Sequence, residues 1–380
     1  MKKLAVILAA ILLLICFAGC DQIPGANTSP KSTEPEKLFI TSEEVDLRQM
    51  VVDYMYAMAN IKWTAGPLLD YSGQGSPSLI YEPGKTYLGM VYNNNRTGLE
   101  VFQSILDENN QYIGTVTSWN ASPGNSCATS IEHAWQLVSP TVEFEYSVDM
   151  LPYYEKTGVV AVGNIDWSCY NGSNTNSVIN NNKRDDILEA YAAVLPGDAF
   201  VRYLDTGGHA LMVTKEPTIV RDDDGTINMA NSFVYLTDQN NRLHNRREYP
   251  SSWQVDNPVS FASALQDGYL PVTTAELRDG IAPVPTFEVS GMPTAEDLAN
   301  GTVKGSVKSN YCINTMRMEL VSGGKVVASS TDHPYTRNCG FKDLGKELNI
   351  TALPSGKYTL TIAAEVGLGS KTIVEVTFSK

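Results

Sequence analysis

The order of hydrophobic periods along the chain constrains its fold most. Large apolar residues recur first at helical spacing and only later at alternating spacing. Residues 47–58 carry a helical run that includes Leu47, Val51, Met55 and Met58. Thr41 or Ser42 is its expected N-cap, with Glu43 and Glu44 in the first turn. A second helix is expected over 98–106. A third is expected over 128–138, where Ile131, Ala134, Trp135 and Val138 fall at i, i+3, i+4 and i+7. A fourth covers 185–194 and is stopped by Pro196-Gly197. Strands then take over at 199–204, 209–214, 219–221 and 232–237. Helices followed by an antiparallel sheet make an α+β order.

A break follows at Ala282-Pro283-Val284-Pro285, which reads as a linker. Beyond it the pattern is short strands and turns, at 301–307, 316–321, 325–329, 348–351, 356–364 and 372–378. That many strands in so short a segment predicts a small all-β sandwich. The expected folded units are therefore 45–281 and 286–380.

The first residues read as an address. Lys2 and Lys3 precede an apolar run from Leu4 to Phe17, too short to span a membrane as a mature helix and suited to a secretory signal over 1–20. The ending Phe17-Ala18-Gly19-Cys20 resembles a bacterial lipoprotein signal. That resemblance implies a lipid on Cys20, which would anchor the chain to the membrane in an extracytoplasmic place. Residues 21–44 hold Pro24, Gly25, Pro30 and Pro35 and read as a flexible tether.

The formal net charge is −14, and loss of residues 1–19 would bring it near −16. Such a chain repels nucleic acid and anionic phospholipid, so no nucleic-acid partner is expected. Four histidines argue against a His-rich zinc site. The turn at Asp222-Asp223-Asp224-Gly225 has ordinary hairpin chemistry and lacks EF-hand spacing. No metal and no cofactor is expected.

Six cysteines remain to be placed. Cys16 and Cys20 belong to the signal. Cys312 and Cys339 share the C-terminal segment and are expected to form a disulfide, since export permits one; the closed loop would contribute about 3 kcal/mol. Cys169 reads as a buried or free thiol. Cys127 stands apart, in Pro123-Gly124-Asn125-Ser126-Cys127 at the mouth of the third helix. Helix-start amides and the helix dipole favour a thiolate there. An imidazole favours it further and serves as base and then acid. His209 suits that role, at the head of a strand after Gly207-Gly208, where the glycines leave room for the ring. Asp238 at the end of a neighbouring strand is the expected orienter, with Gln239 and Asn240 as fallbacks. His133, His244 and His333 lack such a context.

Several of these residues resemble the papain-fold peptidases and amidases of the NlpC and CHAP type. The resemblance rests on Gly124-Asn125-Ser126-Cys127 with Ala134-Trp135, on Leu195-Pro196-Gly197-Asp198-Ala199-Phe200-Val201, and on Gly208-His209-Ala210-Leu211-Met212-Val213. It covers roughly 45–280 and implies a papain-like fold with helices packed on an antiparallel sheet. The segment Tyr87-Leu88-Gly89-Met90-Val91-Tyr92 resembles the family's upstream stretch, whose tyrosine lines the site, so Tyr92 joins Asn240 as a substrate or oxyanion candidate. This chain departs from the family by having Ser126 before the cysteine and Ala128-Thr129 after it. The polar stretch from Asn171 to Asn182 reads as an insertion at the cleft rim. Pro354-Ser355-Gly356-Lys357-Tyr358-Thr359-Leu360 resembles the late hairpin of bacterial immunoglobulin-like modules. The implied activity is hydrolysis of peptide or amide bonds, in peptidoglycan for most family members. Two other readings of the same residues stay open: an inactive surface binding or adhesion protein that keeps the fold, and a thiol acyl transferase.

Overall fold

The computed structural model describes residues 39–41, 44–74, 77–153, 157–172, 174–245 and 247–380. The expected signal, Cys20, Ser42, Glu43 and nearly all of the expected tether lie outside them. Leu38–Lys380 packs as one compact unit. Among the described residues no helix is long and apolar enough to cross a membrane.

Helix α1 (Leu47–Asn60) buries Leu47, Val51, Met55 and Met58. Its N-cap is Asp46, five residues beyond Thr41. The Asp46 carboxylate accepts from the Arg48 and Gln49 amides at 3.0 and 3.1 Å, as an N-cap should. Thr41 instead closes a local turn, its amide and hydroxyl each donating to Glu44 at 3.0 Å. Two more helices matter for the site: α2 (Leu99–Ser104) and α3 (Cys127–Gln136). All four periodic residues of the third helical run are buried.

Strands are not confined to the second half. Short ones, β1 (Lys62–Ala65), β2 (Leu69–Asp70), β3 (Ile80–Tyr81), β4 (Thr86–Leu88) and β5 (Gln111–Tyr112), lie between α1 and α3. With two to four residues each, they are too short to show a period in the sequence. β6 (Val159–Ala161), β7 (Ala199–Leu204), β8 (Gly207–Thr218), β9 (Phe233–His244), β10 (Ser251–Ser260) and β11 (Leu270–Thr274) follow. One nine-stranded sheet has the order β5-β1-β4-β10-β9-β8-β7-β11-β6, with β2 and β3 paired separately. The large sheet is mixed, not wholly antiparallel: β1 runs parallel to β5, and β4 to β10. The α+β expectation thus holds at the level of helices mixed with a large sheet, while the helices-first order does not.

Two strand ends differ in a way that bears on function. β9 continues through Asp238, Gln239 and Asn240 to His244, because it pairs along its length with β10. Residues 219–221 form no strand; Arg221 only bridges Ile227 across the acidic turn. There Asp224 accepts from the Thr226 amide and hydroxyl at 3.0 and 2.6 Å, so its carboxylate is spent on the turn.

Around α3 the core is aromatic. Trp63, Trp135 and Trp253 are fully buried. The Trp135 indole donates to the Gly197 carbonyl at 2.7 Å. Arg48 on α1 pairs with buried Asp198 at 2.8 Å and also holds the Pro196 carbonyl. Helix α3 packs against α1, β8 and β9.

Beyond residue 285 come two small antiparallel sheets. β12 (Phe287–Ser290), β13 (Ser306–Ile313) and β16 (Thr336–Gly340) make one, and β14 (Thr315–Ser322), β15 (Lys325–Asp332), β17 (Lys357–Val366) and β18 (Gly369–Ser379) the other. β17 buries alternate residues Tyr358, Leu360, Ile362, Ala364 and Val366, the period of a half-buried strand. Residues 348–351 are not a strand; they follow a helix at Lys342–Glu347 and include a 3-10 turn at Ile350–Ala352. Cys312 and Cys339 are free thiols, not a disulfide. In the register Cys339 sits opposite Val307, and Cys312 lies across an irregularity beside Ile313. The end of the expected tether is also used here. Phe39 bridges Gly369 and stacks on Phe287 at 5.9 Å.

This C-terminal region grips the far end of α3. The Tyr335 hydroxyl lies 3.0 Å from that of Tyr54, and its ring meets the edge of His133 at 4.8 Å. A Cβ at Gly98 would overlap the Tyr335 ring. Arg337 pairs with Glu143 at 2.7 Å and donates to the Val142 carbonyl at 2.9 Å.

Candidate active site

The Cys127 position is built by two laced loops. Asn93 donates its amide to the Asn125 carbonyl at 2.9 Å, and Asn125 donates its own to Val91 at 3.2 Å. Thr97 closes on Gly124 in both directions, at 3.0 Å from its amide and 2.6 Å to its hydroxyl. The Ser126 amide then donates to Thr129 Oγ1 at 2.8 Å. Ser126 and Thr129 are thus what opens the helix. The Cys127 amide stands in the first turn of α3, where intrahelical acceptors are lacking.

β8 and β9 bring the partners. His209 Nε2 lies 3.1 Å from Asp238 Oδ2. Asp238 is almost fully buried, and His209 is mostly so. With Nε2 committed to Asp238, Nδ1 is the nitrogen left to serve the thiol. Three residues expected as a nucleophile, a base and an orienter therefore come together.

Their electrostatics follow from the contact. Burial pushes the Cys127 thiol up, but the His209 charge, a hydrogen bond from His209 and one from the Ala210 backbone outweigh it, and the thiol falls below its ordinary value. Burial presses His209 down; the Cys127 charge and the Asp238 hydrogen bond overturn that and push it up to about 10. Each partner thus favours the charged form of the other, which is a thiolate–imidazolium pair.

A cavity of about 350 Å³ opens on this pair. Tyr92 lines it with Cys127, His209, Arg202 and Arg242. Burial and then the Cys127 charge raise the Tyr92 hydroxyl, so it stays a neutral donor. Asn240 also lines the cavity, but its side chain is engaged: Nδ2 donates to Asp238 Oδ2 at 3.3 Å, and Oδ1 meets His244 Nε2 at 2.9 Å. It therefore braces Asp238 through one Nδ2 hydrogen, and the second Nδ2 hydrogen has no partner among the described residues. Gln239 points to the opposite face of β9 and donates to the Met90 carbonyl at 2.8 Å, so it is no orienter. At Gly208 the Ser147 hydroxyl occupies the space a Cβ would take, so the glycine also leaves room for that side chain. The polar stretch at 171–182 does not line the cavity among the described residues; its Thr175 binds the Gly268 carbonyl at 2.7 Å.

Sequence reasoning missed Arg202, Tyr269 and the role of Arg242 and His244. Arg202 sits directly across from His209 in the β7–β8 ladder. The two-residue turn at Asp205-Thr206 encodes that register. Tyr269 meets His209 edge-on at 6.4 Å and lies under the Arg202 guanidinium at 4.8 Å. Arg242 and His244 follow Asp238 and Asn240 at alternate positions of β9, the period that keeps them on one face. No group of three or more metal-ligating side chains is placed to hold an ion among the described residues.

Compared with known proteins, the chain matches no family model, no curated protein and no solved structure.

Proposed function

We propose that this chain is a cysteine peptidase or amidase. The Cys127 thiolate attacks the carbonyl carbon of a peptide or amide bond. The Cys127 amide, at the helix start, donates to the oxyanion that forms. The His209 imidazolium gives its proton to the leaving amine, the C–N bond breaks and a thioester remains. A water then attacks, His209 takes its proton, and the acid leaves as the thiolate is restored. Asp238 holds the imidazole throughout. One observation carries this reading: a helix-start thiol that interacts directly with an imidazole whose other nitrogen is bonded to a buried carboxylate.

Finer parts of the reading have separate support. A papain-like core is favoured by the nucleophile helix packed on the strands that carry His209 and Asp238. An immunoglobulin-like sandwich is favoured by seven strands in two antiparallel sheets. A lipid anchor on Cys20, an extracytoplasmic place and a peptidoglycan substrate rest on the signal and on the resemblance. The test is to incubate the full chain with peptidoglycan fragments and follow free acid and amine by mass spectrometry. Hydrolysis lost in Cys127→Ala supports the mechanism; hydrolysis that survives the substitution ends it.

A further inference from the structure

The cavity wall has a charge opposite to that of the chain. The protein carries 42 acidic and 28 basic side chains, yet among the described residues Arg202, Arg242, His209 and His244 line the cavity and no acidic residue does. Asp238, buried behind His209, is already bonded to His209 and Asn240. Several arginines elsewhere find carboxylates: Arg48, Arg96, Arg221 and Arg337 each pair with one within 2.8 Å, while Arg247 is spent on Ala59 and Asn60. Among the described residues neither Arg202 nor Arg242 pairs with a carboxylate.

Arg202 is also held ready. Its guanidinium is stacked on Tyr269, one terminal nitrogen donates to the Asp267 carbonyl at 3.3 Å, and its Nε is buried with no hydrogen-bond partner. A stacked guanidinium keeps its planar fork for an oxyanion group. Arg242 is exposed on the same face, two positions beyond Asn240. A second cavity of about 160 Å³ shares His244 and Gln254 with the first and reaches Arg247, so the basic wall continues away from the thiol.

We propose that this cleft selects peptide or amide substrates that bear a carboxylate beside the scissile bond, and that Arg202 and Arg242 bind that carboxylate. The proposal rests on the hydrolase reading of Cys127 only for the word scissile; the binding can be measured without turnover.

The experiment uses the full chain carrying Cys127→Ser and peptide pairs that differ only by glutamate against glutamine. Calorimetry should show the glutamate peptide binding at least about tenfold tighter, as charge-assisted bonds to a guanidinium do. The preference should shrink in Arg242→Gln, vanish in the Arg202→Gln, Arg242→Gln double variant, and weaken as salt rises. Arg242 is exposed, so its variant keeps the test open if Arg202→Gln fails to fold. Equal affinities for the two peptides, including no binding of either, overturn the proposal, as does a preference that survives the double substitution. The two readings fail separately. Hydrolysis without charge preference overturns the carboxylate site alone; a glutamate preference in a chain that hydrolyses nothing overturns the hydrolase alone.

Discussion

Two histidines stand at different ends of α3, His133 within the helix and His209 against its start, and burial presses both toward the neutral form. At the module end, His133 is almost fully buried and burial wins, holding it at about 4. At the cleft end, His209 is pushed the other way, to about 10, by Cys127 and Asp238. The cysteines repeat the contrast. Cys127 falls below its ordinary value beside His209, whereas burial carries Cys312 up to about 11. Desolvation acts at every one of these groups. What separates the two ends is the charged partner, not the depth.

The largest break in that contrast is to remove the thiol. Cys127→Ala should lower hydrolysis by about 10⁴-fold or more and leave the melting temperature near that of the parent. Progress curves and a thermal melt read both. Next is the orienter. Asp238→Asn should cost about 10²- to 10⁴-fold in kcat and also narrow the pH profile. The active pair needs Cys127 ionised and His209 protonated. Activity should therefore rise through an acid limb below the ordinary thiol value and fall through a basic limb near pH 10. Asp238 helps push His209 up, so its loss should move the basic limb to lower pH. An unmoved limb would mean that Asp238 does not act on His209.

How much of this was readable in advance follows the same line. Cys127 and His209 were legible because each lies at the punctuated start of a strong periodic run, and Asp238 because the run at 232–237 leads into it, although the strand continues to His244. Arg202 was not, because its role depends on a cross-strand register and not on its own neighbours. The contacts of Asn240 with Asp238 and His244 were not legible, because they depend on β9 running on past Asp238 to His244. The supposed Cys312–Cys339 bridge failed on register as well. The short strands between α1 and α3 escaped because two to four residues carry no period. The grip of Tyr335 on His133 had no local signal at all, since it joins residues some two hundred positions apart.

A smaller effect lies at the His133 end. His133 has its folded value depressed from the ordinary 6.5 to about 4. Its contribution to stability is present above about pH 6.5 and is lost as pH falls through 4, up to about 3 kcal/mol. Glu132 runs in the opposite sense: burial raises it to about 7, so its contribution is present below its ordinary 4.5 and lost as pH rises through 7. Wild type alone would blur the two. Urea melts of His133→Phe against wild type across this range isolate the histidine. The variant should lose less stability between pH 6.5 and 4, while alkylation of Cys127 stays as it was.

The smallest effect tests whether the two ends of α3 are separate. In Tyr335→Phe one hydroxyl contact to Tyr54 disappears. Tyr54 keeps its 2.9 Å bond to Glu100 and still accepts from the Leu99 amide at 3.1 Å, so no polar group is stranded. The ring remains against His133 and Gly98. The cost should be about 1 kcal/mol in a urea melt. If the contrast between the two ends is purely one of local partners, iodoacetamide should modify Cys127 at the wild-type rate. A clear slowing would show that the C-terminal region tunes the thiol through the helix it grips, because Tyr335 touches none of the groups that lower Cys127.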